Sequence, residues 1–297
     1  MLVNGEQRDT VAIMDRGFQY GDGLFETIEI RQNTPIFLEQ HLQRLNTDSQ
    51  RLYLPKLDLN LLRFEIHQLC QNAGNAVLKI IITRGSGGRG YRQPDVIQPT
   101  RILSLHPFPD YPKSYYSDGI VARICKTRLG LNPTLAGMKH LNRLEQVLAR
   151  AEWNDSAIQE GIMLDFNGRV IEGTMTNLFY VKNGELFTAT LNLCGISGII
   201  RAWIFEQMPV IERDFFIDDL LNADEVFVCN SVIGIWGVAE IRRGSLREPA
   251  EQQFPIDKNF VMRVHAVNPY VRQAGRVTQK LQLALENEKQ KQVAYAV

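Results

Sequence analysis

Three prolines fall within six positions, at Pro107, Pro109 and Pro112, and no helix can run through them. Proline lacks the backbone donor and its ring clashes with the preceding turn, so the stretch from His106 to Pro112 reads as a stiff linker. The chain is thereby divided into two parts, each of which must bury its own apolar residues. With 297 residues, 44% of them hydrophobic, there is material for both. We expect a smaller α+β part over residues 1–106, the linker over 107–118, a larger α/β part over 119–250 and a helical extension over 251–297.

Periodicity fills in the elements. Val3-Asn4-Gly5-Glu6 predicts a short strand closed by an Asn-Gly turn, with Thr10-Val11-Ala12-Ile13 pairing nearby. Leu24 to Ile30 alternates like a strand with one buried face. Leu38, Leu42, Leu45 and Leu52 mark an amphipathic helix, and a second helix is expected from about Leu59 to Asn72. Val77–Thr83 and Ile102–Leu105 read as strands. In the second part, strands are expected at Ile120–Ile124, at Gly161–Asp165, after a turn at Asn167-Gly168 from Glu172 to Val181, and at Glu225–Ser231. Gly195 to Arg201 opens a further helix. Beyond Pro249, helical stretches at Lys258–Asn268 and from Val271 to about Lys291 carry mixed charge and read as peripheral.

Charge excludes some partners. Lysine plus arginine and aspartate plus glutamate both number 33, so no net field draws the protein to nucleic acid or to an acidic membrane. The N-terminus has no basic segment leading an apolar core, and no apolar run approaches the roughly 18 residues of a membrane span, so a cytoplasmic location is expected. Cys70, Cys125, Cys194 and Cys229 lie far apart among apolar neighbours, without the paired spacing of a zinc site; they read as reduced, buried and structural.

The stretch that concentrates chemistry is Gly137-Met138-Lys139-His140-Leu141-Asn142-Arg143-Leu144-Glu145-Gln146. Leu141, Leu144, Leu148 and Ala151 recur at helical spacing, which predicts a helix starting close to Lys139 with this face packed inward. A lysine there would meet the positive end of the helix macrodipole and partial desolvation, both of which disfavour its charged form. A neutral amine can attack a carbonyl. Taken alone, Lys139 is one solvated lysine among many, and its companions decide. One is Glu172-Gly173-Thr174-Met175-Thr176-Asn177, beyond the Asn167-Gly168 turn. Another is the glycine-rich Arg84-Gly85-Ser86-Gly87-Gly88-Arg89-Gly90-Tyr91, which lacks the Gly-Lys-Ser/Thr of a nucleotide-binding loop.

Together these segments resemble the fold type IV family of pyridoxal-phosphate enzymes, which includes branched-chain and D-amino-acid aminotransferases and aminodeoxychorismate lyases. The resemblance runs from about Asn4 to about Val238. The strings 84–91 and 137–143 are most similar to the aminodeoxychorismate-lyase branch. The resemblance implies a two-domain, D-amino-acid-aminotransferase-like fold, pyridoxal 5'-phosphate held on Lys139 as an internal Schiff base, and Glu172 as an anion facing the ring nitrogen. Arg44, within His41-Leu42-Gln43-Arg44-Leu45, would grip the phosphate. The helix start at Ile196 and Ser197, and Ser231 with Asn230 beside it, would complete the phosphate site; relatives tend to carry Gly-Thr where this chain has Asn-Ser. Tyr20 is placed beside the cofactor, and Arg89 and Tyr91 would meet substrate.

The activity implied is release of pyruvate and 4-aminobenzoate from 4-amino-4-deoxychorismate, started by proton abstraction at C4 by Lys139. Alternatives that share Lys139, Glu172 and Arg44 are an aminotransferase acting on branched-chain or D-amino acids, and an inactive binding protein of the same fold. A homodimer with loops crossing the interface is expected from the resemblance alone.

Overall fold

The computed structural model describes residues 1–243 and 275–295. In chain order the first part contains β1 (Leu2–Val3), β2 (Glu6–Gln7), α1 (Arg16–Tyr20), β3 (Gly23–Arg31), β4 (Thr34–Pro35), α2 (Leu38–Arg51), α3 (Leu59–Cys70), β5 (Ala76–Thr83) and β6 (Thr100–Pro107). Its six strands form an antiparallel sheet in the order β2-β1-β6-β5-β3-β4. Leu24, Ile28 and Ile30 of β3 and Leu78, Ile80 and Ile82 of β5 face Leu42, Leu45, Leu62 and Ile66 of α2 and α3 in one apolar cluster. Period-two and period-3.6 stripes thus meet as the sequence predicts. The Asn4-Gly5 turn joins β1 to β2, both residues having positive φ, as the tightest hairpins require. Thr10–Ile13 form no strand, and the partner of β1 across the turn is β2.

The second part holds α4 (Ser114–Ser117), β7 (Ile120–Leu129), α5 (Leu144–Arg150), β8 (Glu160–Asp165), β9 (Val170–Gly173), β10 (Asn177–Lys182), β11 (Glu185–Thr188), α6 (Ile199–Gln207), β12 (Ile211–Glu212), α7 (Ile217–Leu221), β13 (Glu225–Asn230), β14 (Gly234–Arg243) and α8 (Arg276–Tyr295). Its eight strands run β12-β11-β10-β13-β14-β7-β8-β9. A further pairing, Asn177 with Glu172, brings β9 back onto β10 and closes six of them into a barrel-like ring. The strand expected from Glu172 to Val181 is therefore broken. Residues 174–176 loop out, and the buried Glu160 carboxylate accepts the Thr174 amide and the hydroxyls of Thr174 and Thr176.

Two expectations are corrected here. The helix after Lys139 begins only at Leu144, and its apolar stripe does not pack inward: Leu144 and Leu148 are 75% and 60% exposed, and Ala149 is the buried position. The chain's last described helix is not peripheral. Leu281 and Leu285 of α8 are buried against Phe179, Phe227 and Ile235. Glu225 of β13 caps its first turn by accepting the Val277 and Thr278 amides at 3.0 and 2.9 Å, and buried Lys289 pairs with Glu29 of β3 at 2.5 Å. The expected stretch Lys258–Asn268 lies outside the described residues. No helix among the described residues is long and apolar enough to cross a membrane, and all four cysteines are free and buried.

Candidate active site

Residues 137–141 run extended between the two sheets. The Phe25 amide donates to the Lys139 carbonyl at 3.0 Å and the Leu141 amide to the Gly23 carbonyl at 3.0 Å, which adds this segment to the start of β3. On its other side, the Gly137 amide donates to the Gly195 carbonyl, and the Ser197 amide to the Gly137 carbonyl, each at 2.9 Å. Gly137 and Gly195 have φ near +80° and +88°, and a side chain on Gly195 would stand 2.7 Å from Leu191. The Lys139 amide also donates to Asp48 of α2 at 3.2 Å. Backbone bonds to β3 on one side and to the loop at residues 195–197 on the other thereby fix where the lysine emerges.

It emerges into a cavity of about 450 Å³ at the seam, within the range of small-molecule sites. A larger cleft of about 640 Å³ lies beside α8, but its charged groups Glu29, Arg31, Glu286 and Lys289 already neutralise one another. In the smaller cavity the lysine's charge is not spent. Lys139 Nζ lies 4.3 Å from the Phe25 ring centroid and makes no hydrogen bond or ion pair with any described residue. Burial and then the nearby Arg44 guanidinium bring its ammonium down from 10.5 to about 8. The macrodipole expected to do this is absent, since α5 starts five positions later.

Glu172 sits on β9, 3% exposed. It accepts the Ile196 amide at 2.8 Å and a long 3.5 Å contact from Gln146 Nε2. Burial outweighs these contacts and pushes its carboxyl up to about 7. With no ring nitrogen beside it, the carboxyl is at neutral pH about equally able to hold or release a proton. Ile196 lines the cavity, but its amide is committed to Glu172 and is unavailable to a phosphate.

Arg44 is positioned by residues that sequence reading did not single out. Glu26, 1% exposed, accepts Arg44 Nε at 2.8 Å and also Nη2, and its other neighbour is His41 Nδ1 at 2.6 Å. Burial alone would raise the Glu26 carboxyl, but Arg44 and His41 overcome it and hold it at about 2. Glu26 shares a strand face with Leu24, Ile28 and Ile30, and a carboxylate at an inward position of an alternating strand was the available signal. Arg44 Nη1 donates to the Ser197 carbonyl at 2.8 Å, so Ser197 steers Arg44 through its backbone. Beside them, Gly198 and Ile199 at the start of α6 line the cavity, and first-turn amides have no acceptor within a helix.

Asn230 and Ser231 line the same cavity. The Asn230 side-chain oxygen accepts the Val232 and Ile233 amides at 2.8 and 2.9 Å, and its Nδ2 donates to the Met175 carbonyl, so its role is to build the turn. Ser231 Oγ donates to the Thr27 carbonyl at 2.7 Å and keeps its lone pairs. Tyr20, Arg89 and Tyr91 do not line the cavity of their own chain. Tyr20 and Tyr91 pack ring to ring at 5.6 Å, Arg89 and Tyr91 are exposed, and Arg16 ties their loop down through the Gly90 carbonyl at 3.0 Å. Arg84 is spent on Asp22 and Arg92 on Asp95.

The arrangement offers a partly neutral, half-buried amine, a carboxyl that can share a proton, and an anion-binding end. Pyridoxal phosphate presents an aldehyde, a ring nitrogen and a phosphate, so the residues present fit it.

The family model for Amino-transferase class IV matches residues 23–241. The chain is 38% identical over 244 residues to an aminodeoxychorismate lyase of Vibrio harveyi, covering 80% of this chain and 90% of that protein. It is 31% identical over 257 residues to a candidate branched-chain-amino-acid aminotransferase of Methanocaldococcus jannaschii, covering 81% and 87%. The crystal structure of 4-amino-4-deoxychorismate lyase from Pseudomonas aeruginosa superposes with a TM-score of 0.84 at 42% identity, covering 96% of this chain and 98% of that one.

Proposed function

Because the chain belongs to the class IV amino-transferase family, we propose that it is a pyridoxal-phosphate-dependent lyase that splits 4-amino-4-deoxychorismate into 4-aminobenzoate and pyruvate. The observation that carries the cofactor is the half-buried Lys139 amine, without an ion pair among the described residues, in one cavity with Glu172. Higher identity to the two aminodeoxychorismate lyases than to the aminotransferase supports the lyase reaction.

When bound, pyridoxal phosphate supplies a carbonyl to which amines add and a ring that accepts the electron pair left by a departing proton. Lys139 would supply the amine that holds the cofactor's aldehyde and, when free, the base that removes the C4 proton of the substrate. With its ammonium at about 8, a useful fraction is neutral near neutral pH. Glu172 holds a proton at the ring nitrogen. Arg44 and the start of α6 hold the phosphate, with Ser231 as a further hydroxyl. The electron pair from C4–H becomes a ring double bond as the C3–O bond breaks. The enolpyruvyl group leaves through its oxygen as an enolate, which takes a proton at its methylene carbon to become pyruvate, and aromaticity makes the step one-way.

Incubation with 4-amino-4-deoxychorismate should release pyruvate and 4-aminobenzoate in equal amounts. Glutamate formation from branched-chain or D-amino acids with 2-oxoglutarate, without pyruvate release from the chorismate derivative, would establish the aminotransferase instead.

Arg44→Lys should weaken pyridoxal phosphate binding about 10- to 100-fold, since one ammonium cannot serve Glu26 and a phosphate together. Binding of unphosphorylated pyridoxal should stay within about twofold. Equal losses for both ligands would remove the phosphate role.

A cytoplasmic homodimer completes the reading. The exposed apolar side chains Leu144, Val147 and Leu148 on α5 support a protein partner, and Arg89 and Tyr91 would then reach substrate across the interface.

A further inference from the structure

Thr278, Leu281, Leu285, Lys289 and Gln292 follow one another on α8 at spacings of three and four, so they share one face. Leu281 and Leu285 are buried, and an apolar residue at 289 would continue their stripe. A buried lysine stands there instead, with its ammonium on Glu29 of β3 at 2.5 Å. Glu29 also accepts Arg31 Nε at 3.0 Å, and Arg31 Nη1 reaches back to Glu286 of α8 at 2.5 Å. One turn further on, Gln292 Oε1 accepts the Phe37 amide at 2.8 Å. A buried ion pair adds little stability over an apolar pair of the same size, but it fixes register, because one alignment of helix and strand brings both charges together.

The pieces so aligned are those of the anion-binding end. α8 begins on the second part of the chain, where Glu225 caps it, and runs onto the first, so it crosses the seam. Phe37 stands just before α2, the helix that carries Arg44, and no side chain of its own caps that start. Glu29 lies two positions along β3 from Thr27, whose carbonyl accepts Ser231 Oγ. Val232 and Ile233, next in the chain, line the cavity and also the cleft beside α8. Ile199 and Ile200 in the first turn of α6 belong to the same buried cluster as Leu281 and Leu285. We propose that Lys289 and Gln292 are positioning residues for the cofactor's phosphate: α8 straps the two parts together in the register at which Arg44, Ser231 and the start of α6 converge. This rests on the function proposed above. Neither residue lines the cavity, so each acts through the backbone that it holds. A phosphate needs several converging groups at once and suits such a device, whereas Lys139 and Glu172 are held by Phe25, Asp48 and Ile196.

The test measures dissociation constants of pyridoxal phosphate and of unphosphorylated pyridoxal from the absorbance of the bound chromophore. Lys289→Met leaves Glu29 its bond to Arg31 but breaks the tie to α8. It should weaken pyridoxal phosphate binding about 5- to 30-fold and pyridoxal binding less than about twofold. Turnover at saturating cofactor should stay within about twofold of the wild type. Lys289→Arg restores a cation to Glu29 and should bring pyridoxal phosphate binding back to within about threefold. Gln292→Met removes the tie to Phe37 alone and should show the same phosphate-selective loss, which reports on the strap even if Lys289→Met fails to fold. Equal losses for the two ligands, or a lower melting temperature with both affinities unchanged, would overturn the assignment and leave the proposed function standing. Absence of any chromophore in the wild type would overturn both.

Discussion

Lys139→Ala protein, mixed with pyridoxal phosphate, shows no absorbance of covalently held cofactor and turns over at least about 10⁴-fold more slowly than the wild type. The loss is large because one amine is both nucleophile and proton carrier, and no other lysine among the described residues lines the cavity. The alanine protein should nevertheless fold, since the backbone bonds of residue 139 to Phe25 and Asp48 do not need its side chain. Borohydride reduction and peptide mapping of the wild type should find the pyridoxyl group on Lys139. Turnover surviving in the variant, or an adduct mapped elsewhere, would refute the assignment.

Glu172→Gln should move activity and stability in opposite directions. The amide cannot share a proton with a ring nitrogen as the acid can, so turnover should fall about 10²- to 10³-fold while the absorbance of bound cofactor persists. The cofactor-free protein should become more stable, and the sign follows from linkage. The Glu172 carboxyl is raised from 4.5 to about 7 in the fold. As pH climbs between those values the unfolded chain ionises it freely, whereas the folded chain must stay protonated or bury a charge. Stability is therefore lost over that interval and the deficit is complete above pH 7, at roughly 3 kcal/mol. Glutamine has no such deficit and can still accept the Ile196 amide. Urea denaturation of both cofactor-free proteins should give curves that coincide near pH 4.5 and separate by pH 8. A separation independent of pH would mean that Glu172 is not the buried acid described.

These effects bear on what could be read from the chain beforehand. Val77–Thr83, Ile120–Ile124 and Glu225–Ser231 announce themselves as strands because β-branched and apolar runs of that length bury on a sheet. Lys139 and Glu172 were legible as a pair through the strings around them. Of the two reasons expected for the lowered lysine, desolvation is present and the macrodipole is not: leucine spacing suggested a helix at Lys139, while the real helix starts at Leu144 and turns Leu144 and Leu148 outward. A hydrophobic period marks an apolar face and does not say what covers it.

Ring closure through Asn177 and Glu172, and the ion pair joining Lys289 to Glu29, link residues without any local pattern. Glu26 carries one local signal, its inward place on an alternating strand, but its pairing with His41 carries none. Their chemistry is visible only once β3 and α2 face one another. Arg89 and Tyr91 illustrate the converse: a suggestive string whose side chains lie away from the cavity of their own chain.

The segment 137–141 is stitched to both halves of the molecule by amide and carbonyl groups, which every residue type except proline supplies in full. The amine's address is consequently written in main chain, and the walls around it are written in side chains. The two can drift separately over generations. One scaffold can then keep its reactive nitrogen in place while exchanging the groups that decide whether a proton is returned or a leaving group expelled.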